Sequence, residues 1–313
     1  MSNHFLFIFL DGVGLGKNDP VINPFARAVM PSLSNLLEGK KMVASDSPSV
    51  GRKYSLSAID AMLGIPGMPQ SATGQASLLS GLNVPQIIGG HYGPKPNDAI
   101  SALLSKRNLF QKLSSGGKSV CLLNAYPQRF FDSINSGRRL LSAIPYAADS
   151  AGVPLKNTDD YYSGRALSAD FTGKGWRGHL NMQDAPLYTP VEAGEKMATL
   201  AAMYDFAFFE YWLSDYAGHA QDMEAACNLL EEFDGMFKGL LMQWDTQENL
   251  IFITSDHGNM EDLSTHRHTQ NLVPALVIGE ARTRHSFTET LHSLVDVTPS
   301  ILKYFGLVDK MTG

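Results

Sequence analysis

FLFIFLD, residues 5–11, sets six consecutive apolar residues before an acid. A strand with one wet face alternates apolar and polar residues, so this unbroken run predicts a strand covered on both sides. SVCLLN (119–124), FAFFEYW (206–212), LIFIT (250–254) and ALVIG (275–279) share the pattern. Helical periodicity fills the gaps. Leu229, Leu230, Phe233, Met236, Phe237, Leu240 and Leu241 recur at threes and fours, predicting a helix from about Asp222 to Trp244. Thr189, Pro190 and Glu192 offer a cap, a first turn and a capping box for another that reaches about Tyr204. Thr298-Pro299 opens a final short helix, stopped by Gly306. This alternation predicts an α/β fold, a three-layer sandwich with a mostly parallel central sheet flanked by helices. Residues 126–188 mix Gly, Ser, Asp and Tyr without a sustained period. They read as a small cap or loop-rich insertion within a single catalytic domain over 1–313.

Composition narrows the class. At 44% hydrophobic and 18% charged, the 313-residue chain has ample material for a core and is not a disordered one. Its net charge of −6 argues against a broad footprint for a nucleic-acid polymer. Cys121 and Cys227 are too few for a disulfide framework and read as reduced, buried thiols. FLFIFL is far short of a membrane span and lacks a cationic leader, so the expected compartment is the cytoplasm, away from membranes. GVGLG (12–16) has the wrong spacing for a dinucleotide fingerprint, and Asp11 would set a negative charge beside the pyrophosphate.

Asp11, Asp215 and Asp256 each stand at or just beyond the end of an apolar run. In a parallel sheet those ends share one rim, and carboxylates gathered there repel one another unless protons or cations intervene. His219 lies four residues after Asp215, and His257 follows Asp256 directly; His266 or His268 adds a third imidazole. Mixed Asp and His donors favour zinc, manganese or ferrous iron over calcium. In QSATGQASLLSG (70–81) a short helix opens near Thr73, and a helix N-terminus stabilises an anion.

The strings FLFIFLDGVG (5–14), SATGQ (71–75), SDYAGHAQD (214–222), SDHGNMED (255–262) and HRHTQNLVP (266–274) together resemble the alkaline phosphatase superfamily. The branch they resemble contains cofactor-independent phosphoglycerate mutase and phosphopentomutase. That resemblance implies an alkaline-phosphatase-like fold and two divalent metal ions, with zinc or manganese the expected metals. Asp215, His219 and His268 would hold one ion; Asp11, Thr73, Asp256 and His257 would hold the other. His268 is taken over His266 because the family's histidine directly precedes T-x-N. Thr73 would be the nucleophile, transiently phosphorylated by a small phosphorylated substrate.

The chain departs from the phosphoglycerate mutases in two ways. They carry Ser where Thr73 is assigned, and they insert a large domain where this chain has only residues 74–214. The short insertion favours hydrolysis of a small phosphate ester; the alternatives are a phosphomutase acting on a sugar phosphate and a nucleotide phosphodiesterase. No C/S-x-P-x-R string surrounds Thr73, which disfavours sulfatase chemistry. His91, Lys95, Asn97, Asn124 and Arg129 are the candidate substrate contacts.

Overall fold

A computed structural model describes residues 3–307. Its seven strands are β1 (Phe5–Leu10), β2 (Ser49–Val50), β3 (Tyr54–Ile59), β4 (Val120–Leu122), β5 (Phe206–Tyr211), β6 (Leu250–Thr254) and β7 (Val273–Ile278). They form one sheet in the order β2-β3-β7-β6-β1-β5-β4. The four strands β6-β1-β5-β4 are parallel, as expected for runs buried on both faces. The β6–β7, β7–β3 and β3–β2 pairs are antiparallel. Antiparallel pairing brings the start of β7 beside the end of β6, with Thr254 opposite Ala275. Both ends of the 255–272 loop therefore lie at the rim where β1 and β5 end. Ile59 pairs with Val273, so β3 ends at the same rim and feeds the helix Ser71–Ser80.

Strand pleating divides β1 between two cores. Leu6, Ile8 and Leu10 face a layer that includes the helices Pro190–Ala201 and Met223–Gln243. Phe5, Phe7 and Phe9 join Phe206, Phe208, Phe252 and Phe110 on the other face. Each such ring, fully buried, contributes about 2–3 kcal/mol of hydrophobic stabilisation. The expected Thr189–Glu192 capping box forms, and Asp222 caps the long helix. The last helix, Val297–Tyr304, starts one residue before Thr298.

The 126–188 segment is more helical than the sequence suggested. It holds the helices Gln128–Asn135, Ala143–Ser150, Thr158–Tyr162 and Lys174–Leu180. Elements of five to eight residues are too short to display a period, and local caps such as the Asn157–Asp160 box set them. Ala143–Ser150 packs into the main core through Ile144, Ala147 and Ala148. Tyr161, Ala166, Trp176 and Ala185 form a small separate cluster with Ala125. Cys121 is buried, whereas Cys227 is only half-buried. Among the described residues no helix is long and apolar enough to cross a membrane.

The Pro190–Ala201 and Met223–Gln243 helices touch backbone to backbone at two glycines. A Cβ on Gly194 would overlap the Met236 carbonyl oxygen, and one on Gly239 the Val191 carbonyl oxygen. Gly194→Ala and Gly239→Ala should each destabilise the fold by about 3 kcal/mol, because neither backbone has room to yield. Urea unfolding measures this; midpoints equal to wild type would mean that the helices do not pack this closely.

Candidate metal centre

Two rim loops and one helix bring the donors together. Asp11 follows β1 directly. Asp215 and His219 lie one turn apart in the helix Leu213–Ala220, so they share a face. Asp256 and His257 follow β6, and His268 approaches the start of β7. The ligating atoms of Asp215, His219 and His268 lie within 4.8 Å of one another, as do those of Asp11, Asp215 and His257. Asp215 thus belongs to both groups. Asp256 borders the second, with its Oδ2 3.6 Å from His257 Nε2. Asp256 and His257 are fully buried, while the His219 side chain is 45% exposed, so the centre opens to solvent on its first side.

The imidazoles have a common orientation. Nδ1 of His219 meets the His266 carbonyl at 2.9 Å, Nδ1 of His268 the Pro69 carbonyl at 2.8 Å, and Nδ1 of His257 the Gly258 carbonyl at 3.3 Å. An Nδ1–H donated to a carbonyl leaves Nε2 as a bare lone pair. Those Nε2 atoms face carboxylates: His219 to Asp215 at 3.3 Å, His257 to Asp11 at 3.4 Å, His268 to Asp215 at 3.8 Å. Lone pairs facing lone pairs fit a cation between them. The Asp11 Oδ1, buried and without a hydrogen-bond partner, fits one too.

Electrostatics agree. Burial, then the charges of Asp256, Asp215 and Glu210, hold the Asp11 carboxyl well above its ordinary value. Asp256 is raised mainly by burial and further by Asp215, against the lowering influence of His257. His268 is pushed down to about 4 by burial and by neighbouring His257, whose ring stacks 3.8 Å away. A His268 imidazole held neutral and carboxylates held above their ordinary range are what a metal site looks like before its charge arrives.

Two hydroxyls lie at the start of the helix Ser71–Ser80, and they are engaged differently. Thr73 Oγ1 donates to the Gln70 and Tyr92 carbonyls and accepts from the Tyr92 amide, so its bonds go to the backbone of the 91–92 turn. Ser71, two residues earlier at the first position of the helix, has its Oγ 3.0 Å from His257 Nε2. It is Ser71 whose hydroxyl meets the cluster.

Several proposed substrate contacts are engaged elsewhere. Asn97 caps the helix Asp98–Lys106, and Asn124 exchanges hydrogen bonds with the Glu210 backbone. His91 Nε2 meets the Ile65 carbonyl, and Lys95 reaches the Leu140 carbonyl at 2.9 Å. Arg129 lines a cavity of about 370 Å³ with Asn157, Thr158, Leu180 and Met182. Other residues at the site escaped the sequence reading. Gln75 bridges Asp11 and Asp256 through Nε2, at 3.3 and 3.2 Å. Asn259 holds Asp215 Oδ1 at 2.7 Å. Glu210, buried in β5, is pushed up to about 8 by burial and then by Asp256. Its place inside an apolar run was the one available signal.

Acid and imidazole donors gathered at the rim of an α/β sheet form a candidate metal centre on an alkaline-phosphatase-like fold. The alkaline phosphatase of the Antarctic bacterium TAB5 superposes with a TM-score of 0.54 at 12% identity, over 97% of this chain and 98% of that one. Residues 183–309 match the family model of the Metalloenzyme superfamily. A 2,3-bisphosphoglycerate-independent phosphoglycerate mutase from Thiobacillus denitrificans is 31% identical over 131 residues, 39% of this chain and 25% of that protein. A phosphopentomutase from Desulfitobacterium hafniense is 31% identical over 96 residues, 31% of this chain and 24% of that protein. The similarity thus spans about a quarter of these relatives' length.

Glu210 gives the cation-free protein a pH signature. Its raised value means that the folded state keeps a proton which the unfolded chain has released, so stability falls as pH rises toward about 8 and levels beyond it. His268, lowered to about 4, acts oppositely but only below its ordinary value of 6.5. Between those limits the melting temperature of chelator-treated protein should fall, and Glu210→Gln should flatten the slope. A melting temperature that rises across this window would contradict the assignment.

Proposed function

We propose that the chain is a phosphoryl-transfer enzyme acting on a small phosphorylated metabolite, as a phosphomutase, with Ser71 as the residue that carries the phosphoryl group. The contact between Ser71 Oγ and His257 Nε2 carries this reading, since it sets a hydroxyl at a helix N-terminus against the donor cluster. The phosphoglycerate mutase and phosphopentomutase relatives favour a mutase over a hydrolase. Serine at this position also removes one of the two departures from the phosphoglycerate mutases.

Two divalent cations, manganese or zinc, would be held by Asp215, His219 and His268 on one side and by Asp11, Asp256, His257 and Ser71 on the other, with Asp215 between them and shared by both. When bound, they would supply Lewis-acid stabilisation and make the serine hydroxyl a stronger acid. Ser71 Oγ forms a bond to phosphorus as the substrate's ester oxygen leaves. The helix N-terminus at Ser71 stabilises negative charge on that oxygen and on the incoming phosphoryl group. Gln75 keeps the Asp11 and Asp256 carboxylates side by side, and Asn259 fixes Asp215. Return of the phosphoryl group to another substrate oxygen completes a mutase cycle; its return to water completes hydrolysis. Hydrolysis is the second reading, favoured by the solvent exposure of His219. A cap formed by part of 126–188, and a cytoplasmic setting, belong to the same proposal.

Ser71→Ala should lower turnover with manganese by on the order of 10³-fold or more and abolish the phosphorylated protein seen by mass spectrometry after acid quench. Thr73→Ala should keep that phosphorylated species. Phosphate on Thr73 in a Ser71→Ala protein would overturn the assignment. Sugar phosphates and phosphoglycerate separate the two outcomes: isomerised ester for a mutase, free phosphate for a hydrolase.

A further inference from the structure

Glu261 is fully buried, ligates nothing in either donor group, and accepts four hydrogen bonds. Its Oε2 takes the Gly14 and Asn259 amides, both at 2.8 Å. Its Oε1 takes the Thr269 hydroxyl and, at 3.0 Å, the Asn271 side-chain amide. Four donors converge on two oxygens, and the acceptor-only chemistry of a carboxylate suits that arrangement.

The donors come from the loop after β1 and from both arms of the 255–272 loop. Gly14 is three residues beyond Asp11, Asn259 two beyond His257, and Thr269 adjoins His268. Asn259, whose backbone Glu261 holds, uses its own side chain to hold Asp215. The same packing accounts for two glycines of GVGLG, Gly14 and Gly16, while Gly12 lies against Asp215. A Cβ on Gly14 or on Gly258 would overlap Glu261 Oε1, and one on Gly16 would come within 2.6 Å of the Glu261 carbonyl oxygen. Glycine at all three positions lets the loops close around one side chain.

We propose that Glu261 is a positioning residue that presets both candidate cation sites at once, by tying the Asp11 loop and the His257 and His268 arms of the 255–272 loop to one buried carboxylate. The proposal rests on the two-cation reading above. It distinguishes Glu261 from every ligand except Asp215, which both donor groups contain: loss of His219 weakens the first site, whereas loss of Glu261, which ligates neither ion, weakens both.

The test is titration of the full chain with manganese alone, read by calorimetry and by the electron paramagnetic resonance signal of free ion. Glu261→Ala should weaken both sites about 10- to 100-fold, the usual scale for partners behind metal ligands. Glu261→Gln should recover most of the affinity. Its one oxygen can still accept the two backbone amides, while Thr269 rotates and Asn271 flips to accept from its amide. Wild-type manganese affinity at both sites in Glu261→Ala, with only a lower melting temperature, would reduce Glu261 to a fold-stabilising residue and overturn the proposal. Weakening of a single site would overturn it too. Thr269→Val removes one donor and serves if Glu261→Ala does not fold; it should weaken the His268 site severalfold, and unchanged affinity again counts against the clamp. A wild-type chain that binds no manganese would instead bring down the two-cation reading, and the clamp with it.

Discussion

Imidazole Nε2 atoms face carboxylate oxygens across 3.3 to 3.8 Å at the rim of the sheet, and this crowding of donor atoms is what the molecule is built around. No covalent tie holds these groups together. The parallel pairing of β1 with β5 and β6 brings Asp11, Asp215 and Asp256 to one edge, and the reversal at β7 returns His268 to it. Two apolar layers, one rich in aromatic rings, supply the burial that makes such crowding sustainable. The fold therefore holds charge that it cannot itself neutralise, which is stored capacity for cations.

The surroundings of the cluster are built to keep its geometry. Each imidazole is tethered by Nδ1 to a main-chain carbonyl, so side-chain direction follows from backbone position. Gln75, Asn259 and Glu261 then fix the carboxylates and loops from behind. Preorganised ligands lose little freedom when a cation enters, and affinity benefits accordingly.

Much of this was legible in the string. The five apolar runs became strands because both sheet faces are covered, and the acids at their ends had to share a rim. β3 escaped notice because Ser55 and Ser57 interrupt its apolar residues, and β2 has only two residues. Which hydroxyl faces the cluster was not legible for a geometric reason: Ser71 and Thr73 lie two residues apart on a helix, and residues at that spacing point to nearly opposite sides. Composition cannot tell those directions apart, whereas the Tyr92 turn that engages Thr73 can. Gln75, Asn259 and Glu261 were invisible for a related reason. They act through backbone groups in distant loops, which leave no local pattern.

The central claim is that the rim cluster is two cation sites sharing Asp215. Equilibrium dialysis of chelator-stripped protein against manganese, with metal counted per chain, tests it most directly. The account predicts two ions per chain for the wild type and a loss of occupancy at both sites in Asp215→Asn. Fewer than two ions in the wild type, or two retained at full affinity in Asp215→Asn, would contradict it.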